Sequence, residues 1–457
     1  MLVAYFWWFN WEAVRAPFAA DDLMNLAEHW RHPWRAVYGN FLLWHNYYRP
    51  MGGLFYVPLF DAFHLRPAPF HAALLGLVLL YVGLVYRLAR VLGATPLEAW
   101  LAALALAYHA GLANLYYETS HIYDVLCGIF YAGALICYAR PRSQGRPLTG
   151  RETAGFFALL VCALNSKEMA VTLPAMLLAY EWLYRGKARG GARRWLRETG
   201  WIAGGAALVT AVAVYGRVLG GLARESGYAA SYSLARFAGF QRQQFEDLFF
   251  QWNYKGWMLI AAVWLLATYL AWRRPRPLLR FCWVLAVVAP LPVEFLEGRS
   301  MAVLAVPAIG WAVLAAVAAL GLARGIAGAL APDPGFRRLA PDTRLAVVLG
   351  GLILAWAAWN RTFYVRDVRP SMNDTGRPTA EVIREFDRLH PAVRPHSTVV
   401  FLNDPFEAWD MAFIAELWFH DRTVTIRLQK KTPLTAEELA RADYLFDWRG
   451  GRLVPVR

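Results

Sequence analysis

The feature that most constrains this chain is a series of apolar runs too long and too continuous for the core of a small soluble domain. Residues 70–86, 99–115, 257–272 and 345–358 contain no Asp, Glu, Lys or Arg at all. Each approaches the roughly 20 residues that a helix needs to cross a bilayer. Barrel strands alternate apolar and polar residues over about 10 positions, so helices are the spanning element these runs can form. The expected fold class is therefore an all-α polytopic membrane protein. Composition agrees: 58% of the residues are hydrophobic and 18% charged, against about half and a quarter in soluble domains. The 21 Trp and 22 Tyr suit rings placed at headgroup level.

A net charge of +14 would suit nucleic acid if it lay on one face, but it does not. Arginines gather in short segments between the apolar runs: Arg87 and Arg90; Arg140, Arg142, Arg146 and Arg151; Arg185 to Arg197; Arg273, Arg274, Arg276 and Arg280; Arg324, Arg337, Arg338 and Arg344. This is a positive-inside pattern, each cluster marking a cytoplasmic loop, and no nucleic-acid partner is expected. The four cysteines, Cys127, Cys137, Cys162 and Cys282, all sit in apolar runs, so no disulfide framework is expected.

With the clusters held inside, the path follows. Residues 70–92 run inwards, 97–116 outwards, 121–138 inwards, 153–164 outwards, 170–184 inwards and 201–219 outwards. Then 257–272 run inwards, 278–293 outwards, 301–323 inwards and 345–364 outwards. Adding the apolar N-terminal stretch gives about eleven transmembrane helices, with the C-terminal part outside. Residues 1–14 would span only about 21 Å as a helix, less than a hydrocarbon core. A start placed downstream of the true one explains this better than a thinned bilayer. Between that stretch and Phe70, an outer loop over 16–69 carries two amphipathic pieces, 23–32 and 50–64, read as interfacial helices.

After Tyr364 the composition changes. A polar linker over 365–379 leads to a small extracytoplasmic α/β domain over 380–457. Its periodicities expect helices at 380–389, 407–419 and 436–441, and strands at 397–402, 423–428, 444–447 and 452–456. No internal repeat is visible, which disfavours a transporter built from duplicated halves.

This topology brings Asp21, Asp22, Glu118, Asp124, Glu168, Glu294 and Glu297 to the outer ends of spans, with Arg49, Lys167 and Arg299. Ionisable groups at membrane depth are costly and mark functional sites. Each has a plainer reading beside the functional one. Asp21 and Asp22 precede a helix and can cap it, or one can act as a general base. Arg49, before Pro50, can snorkel to headgroups or bind a phosphate. Glu118, His121 and Asp124 can be solvated around a helix start, or can share a divalent metal with Asp21 or Asp22. Lys167 and Glu168 can be an internal pair that turns the chain, and Glu297 with Arg299 repeats that arrangement. No cofactor is required by these residues, and a divalent metal stays open. Cations facing carboxylates at the outer surface suit a phosphate attached to a lipid.

In order, these motifs are Ala20-Asp21-Asp22; Arg49-Pro50-Met51-Gly52; Ser166-Lys167-Glu168 with Leu173-Pro174; and Arg299 with Val306-Pro307. Over about Ala19 to Gly310 the chain resembles the GT-C superfamily of glycosyltransferases. Within it, the chain is similar to the protein O-mannosyltransferase and aminoarabinose transferase branch. The resemblance implies a GT-C-like catalytic domain over 1–364. It also implies an inverting transfer of a sugar from a polyprenyl-phosphate carrier to an acceptor hydroxyl outside the cytoplasm. Asp21 and Asp22 match that family's acid pair, and Arg49, Lys167 and Arg299 its carrier-phosphate ligands. Glu118, His121, Asp124, Glu168 and Glu297 are then candidate substrate or metal contacts. The partners implied are the lipid-linked sugar donor, membrane lipids, and a glycan, lipid or protein acceptor. The location implied is multi-pass in a bacterial inner membrane, with the site facing the periplasm. The pair here is Asp-Asp where the family has Asp-Glu, and Glu168 stands where that branch often has Gly-Pro. The alternative class is a transporter or flippase of lipid-linked glycans, which would place polar residues through mid-membrane depth; few are present.

Overall fold

The computed structural model describes residues 1–34, 38, 41, 49–185, 195–219, 229–249, 256–273, 275–296 and 299–457. Among these, five helical segments are long and apolar enough to cross a membrane. They are α4 (Pro67–Val91), α6 (Ile122–Ser143, within the segment Thr119–Ser143), α9 (Trp201–Leu219), α13 (Pro307–Ala329) and the run Pro341–Leu389, whose apolar part is α14 (Pro341–Phe363). Shorter apolar helices accompany them: α5 (Pro96–Ala107), α11 (Trp257–Arg273) and α12 (Pro277–Val288). Also present are α1 (Leu2–Asn10), α2 (Ala20–Arg31), α3 (Pro50–Phe63), α7 (Gly150–Leu164), α8 (Leu173–Tyr180) and α10 (Leu234–Leu248). Leu208, Leu265 and Leu354 project from α9, α11 and α14 into open surroundings. Such apolar faces require lipid contact, and the chain is an integral, multi-pass membrane protein.

Local chemistry sets the helix ends. Thr95 and Thr149 cap α5 and α7, accepting from the N–H of Glu98 and Glu152, whose carboxylates reach back to the cap N–H groups at 2.8 Å. Proline opens α3, α4, α5, α12, α13 and α14, where its missing N–H has no helical partner to lose.

The expected outward run at 97–116 is broken. Helix α5 stops at Ala107, Tyr108 and His109 are extended, and two short helical turns follow. Backbone freed inside a membrane needs a partner, and Asn360 of α14 supplies one, accepting from the Ala110 N–H at 2.8 Å. The Asp247 carbonyl of α10 lies where a Cβ on Gly111 would be, so only glycine admits this approach. Helix α10 itself was not expected; it is amphipathic, with Phe240, Gln241, Gln244, Phe245 and Leu248 on its buried side.

The end of the bundle that carries the arginine clusters is closed by paired charges. Arg142 grips both Glu181 oxygens at 2.7 and 2.9 Å, with Tyr138 donating to the same carboxylate at 3.0 Å. Arg276 grips Glu98 the same way, at 2.7 and 2.9 Å. Tyr184 and Arg185 bond the Leu92 and Arg142 carbonyls, joining the loops at this end.

Residues 364–375, read as polar and mostly linker, are helical and continue towards α15 (Arg377–Leu389). Tyr364 and Arg369 both bind Glu12, and the Thr379 hydroxyl donates to the Phe18 carbonyl. Beyond lie β1 (Thr398–Phe401), α16 (Asp410–Phe419), β2 (Thr425–Leu428), α17 (Ala436–Arg441), β3 (Tyr444–Arg449) and β4 (Arg452–Pro455). The sheet order is β2-β1-β3-β4, with β1 parallel to both neighbours and β3–β4 antiparallel. Gly450 and Gly451, at φ 57° and 77°, form the tight hairpin turn that positive φ requires. Helix α16 packs on α2, where Arg31 pairs with Glu416 and Arg422 donates to the Trp30 carbonyl at 3.0 Å.

Candidate active site

The site is built at the opposite end of the bundle, around the start of α2. Ala19 has no side-chain oxygen with which to cap α2. Asp22 does so from within the helix, its Oδ2 accepting from the Ala19 N–H at 2.8 Å. Its Oδ1 accepts from the Ser120 N–H at 2.6 Å, fastening α2 to the turn before α6. Asp22 is fully buried. Burial pushes its carboxyl up to about 7 against the pull of those backbone N–H groups, with Glu118 adding to the rise. Asp21, one residue earlier, is open to solvent. Protein crowding its carboxyl raises its pKa, opposed by His121 and reinforced by Glu118.

A polar chain leads from α2 into the bundle. Tyr123 of α6 donates to Asn25 Oδ1 at 3.0 Å and shares a 2.8 Å bond with His29 Nε2, both on α2. Pro50 opens α3, which leaves Arg49 as the residue ahead of the helix, its guanidinium 5.2 Å from the Tyr123 ring centre. A Cβ on Gly52 would lie 2.2 Å from the same ring, so the sequence Arg-Pro-Met-Gly lets the ring and the guanidinium meet.

The third element is the turn between α7 and α8. Asn165 and Ser166 fold back on the Val161 and Cys162 carbonyls at 2.8 and 2.7 Å and end α7. Lys167 and Glu168 follow, and they do not pair with each other. Lys167 Nζ donates to Asp124 at 2.9 Å, and Arg49 donates to Glu168 at 2.7 Å. His121 sits between Glu118, at 3.2 Å, and Asp124, at 3.7 Å. Arg217, near the end of α9, reaches the same place and donates to the Leu164 carbonyl at 3.3 Å. Burial alone would raise the Glu168 carboxyl; Arg49, Arg217 and Lys167 outweigh it and hold the group well below the usual carboxylate range.

Most of the residues singled out from the sequence thus converge. Asp21, Asp22, Glu118, His121 and Asp124 connect to Lys167, Glu168 and Arg49 through contacts or direct electrostatic influence. Arg299 lies beside α10, where Gln243 donates to its backbone carbonyl at 3.2 Å. Glu297 lies outside the described residues. Glu294 is buried against Gln241 of α10 at 2.7 Å. The cation missed from sequence is Arg217. Its signal was there: a lone arginine ending a run directed towards the acid-rich face, away from every arginine cluster.

Chemically, Arg49, Lys167 and Arg217 cluster about Asp124 and Glu168, and guanidinium and ammonium groups are the side chains that make charge-assisted bonds to phosphate. Among the described residues, no group of three or more His, Cys, Asp or Glu is placed to hold a metal ion. As arranged, His121 is engaged by both neighbouring acids, and the Lys167 ammonium occupies Asp124.

No family model matches the chain, and no curated protein matches it. Solved structures do. Apo ArnT from Cupriavidus metallidurans is 16% identical, with a TM-score of 0.53 over 96% of this chain and 87% of that one. The same protein bound to undecaprenyl phosphate gives 15%, 0.54, 99% and 96%. The archaeal oligosaccharyltransferase AglB from Archaeoglobus fulgidus, in complex with an inhibitory peptide and a dolichol-phosphate, gives 13%, 0.50, 94% and 66%. At such identities the likeness speaks for architecture alone. The fold of this chain is similar to that of ArnT.

Proposed function

We propose that the protein is a glycosyltransferase that moves a sugar from a polyprenyl-phosphate carrier to an acceptor hydroxyl. The observation that carries this reading is an open aspartate, Asp21, coupled through His121 and Glu118 to the ion-pair cluster of Asp124 with Lys167 and Glu168 with Arg49. The cations of this cluster take the carrier phosphate. Asp21 accepts the acceptor's proton as its oxygen attacks the anomeric carbon, while the bond from that carbon to the phosphate oxygen breaks. The departing phosphate gains charge, which the fixed guanidinium groups and ammonium stabilise. One displacement inverts the anomeric centre. Asp22, bound to two backbone N–H groups, orients α2 so that Asp21 faces the acceptor.

Bound carriers in ArnT and AglB support the substrate class. On this reading the catalytic domain covers 1–364 with about eleven spans, and the α/β module over 380–457 lies on the acceptor side, against α2. The site faces the periplasm of a bacterial inner membrane. Purified protein supplied with radiolabelled polyprenyl-phosphate sugars and mixed glycan, lipid and protein acceptors tests it. Transfer is expected from the wild type and lost in the Asp21→Asn, Asp22→Asn pair; equal transfer by both proteins would refute the assignment.

A further inference from the structure

The α/β module carries a loop that the transfer mechanism leaves unused. In the sheet order β2-β1-β3-β4, β1 has a parallel neighbour on each side. The chain leaves β1 for β2 on one side, then crosses to β3 on the other. Such a switch point opens a crevice beyond the carboxyl end of the strand, and open α/β sheets take their ligands there. Residues 402–409 form the loop at that end of β1. The loop is held firmly: Asn403 donates to Asp447 of β3 at 2.8 Å, the Phe406 N–H to Asp404 Oδ1 at 2.9 Å, and Lys430, just beyond β2, to the Phe406 carbonyl at 2.9 Å. Two of its side chains are not explained by that support. Trp409, the last residue before α16, is 49% exposed. Asp404 is 7% exposed, and its Oδ2 has no hydrogen-bond partner among the described residues. A buried acceptor left without a donor is costly, and an ionised carboxylate can only accept.

The fold brings this loop to the open aspartate. Helix α16 packs on α2, with Arg31 and Glu416 paired towards their far ends. Asp21 and Asp410 stand in the first turns of the two helices, near enough for their charges to act on each other. Burial pushes the Asp410 carboxyl up against the pull of its own backbone N–H; Asp21 and Asp404 add to the rise, and Lys431 opposes it.

We propose that the loop after β1 is the acceptor subsite, in which Trp409 stacks on an uncharged sugar ring of a glycan and Asp404 and Asp410 accept from its hydroxyl groups. The inference deepens the transfer reading and rests on it for the glycan's role as acceptor. An indole offers a flat apolar face that matches the C–H face of a sugar ring, and a few fixed polar groups then set the orientation of the ligand. A hydroxyl donor is what Asp404 Oδ2 lacks. A phosphorylated or carboxylated acceptor would meet Asp21, Asp404 and Asp410 together, and like charges brought face to face select against it. The lysines nearby do not reverse this. Lys430 is turned to Glu407 at 3.0 Å, and Lys431 donates to the Glu407 carbonyl.

The test is a microarray of uncharged, phosphorylated and carboxylated oligosaccharides, probed with the detergent-purified full chain. The wild type should bind uncharged spots. Trp409→Ala should bind them about tenfold or more weakly, and Trp409→Phe, which keeps a stacking face, should restore most of the loss. Asp404→Asn keeps an acceptor for the Phe406 N–H and should weaken the same spots. Farnesyl phosphate, a soluble lipid monophosphate, should bind all four proteins equally, which shows that the variants are folded and that the carrier site is untouched. Preference for phosphorylated or carboxylated spots, no bound spot, or equal binding by wild type and Trp409→Ala would overturn the subsite. Glycan binding that depends on Trp409 in a wild type that holds no farnesyl phosphate would uphold the glycan site and count against the transfer reading alone.

Discussion

The two ends of the bundle use the same residue types for opposite purposes. At the arginine-cluster end, Arg142 and Arg276 each hold both oxygens of one glutamate, and Tyr138 adds a further donor to Glu181. At the Asp22 end, Arg49 donates to one oxygen of Glu168 and Lys167 to one oxygen of Asp124, and Arg217 acts electrostatically on Glu168. A closed fork satisfies its partner and leaves little for a ligand. Single-point pairs such as Arg49–Glu168 and Lys167–Asp124 rearrange around an incoming anion more readily than a closed fork does. Buried charge is therefore weak evidence of function; the geometry of the pairing separates a closed fork from an open cluster.

The largest effect should come from breaking a fork. Arg142→Ala leaves Glu181 buried and unpaired and should cost about 3–5 kcal/mol, read as a large fall in thermal unfolding temperature in detergent. The surviving folded protein should bind carrier with unchanged affinity. Weakened carrier binding with little loss of stability would erase the contrast between the ends.

Next in size is the pH response of Asp22. Its folded pKa, about 7, lies above the ordinary carboxylate value. The folded state therefore holds this proton more tightly, and stability falls as pH rises from about 4 to about 7. Asp22→Asn should flatten that slope. It should also lose one of the two bonds accepted from the Ala19 and Ser120 N–H groups, since an amide has one acceptor oxygen where Asp22 has two; the cost is about 1–3 kcal/mol. A slope identical in the variant would remove Asp22 as its source.

A smaller effect is expected at the module interface. Arg422→Ala removes a bond to the Trp30 carbonyl and a cation–ring contact at 4.8 Å. It should loosen α16 from α2 by about 1 kcal/mol and raise the acceptor KM with donor affinity unchanged. An equal loss of donor affinity would place the module on the wrong substrate.

The membrane class, most helix positions and the strand sequence of the C-terminal module were legible in the chain, because hydropathy and period carry them directly. Asp21, Asp22, Arg49 and Lys167 were legible as a group, because charge at the end of an apolar run is conspicuous. Three features were not. The break after Ala107 lies in an uninterrupted apolar run, and its backbone partner Asn360 is far along the chain. Helix α10 is too polar to register as a span, and what it buries, including Gln244, is decided by tertiary packing. The approach of Arg217 to Glu168 depends on which span ends meet, which sidedness alone does not reveal.

The central claim, that the open end is a phosphate recess and the forked end a structural clamp, is tested most directly by carrier affinity. Binding of a polyprenyl phosphate to purified wild type, Arg217→Gln and Arg276→Gln should be measured side by side, each checked for folding. Arg217→Gln should bind about tenfold or more weakly, and Arg276→Gln should bind like the wild type. Equal affinities for wild type and Arg217→Gln, or weakening confined to Arg276→Gln, would contradict it.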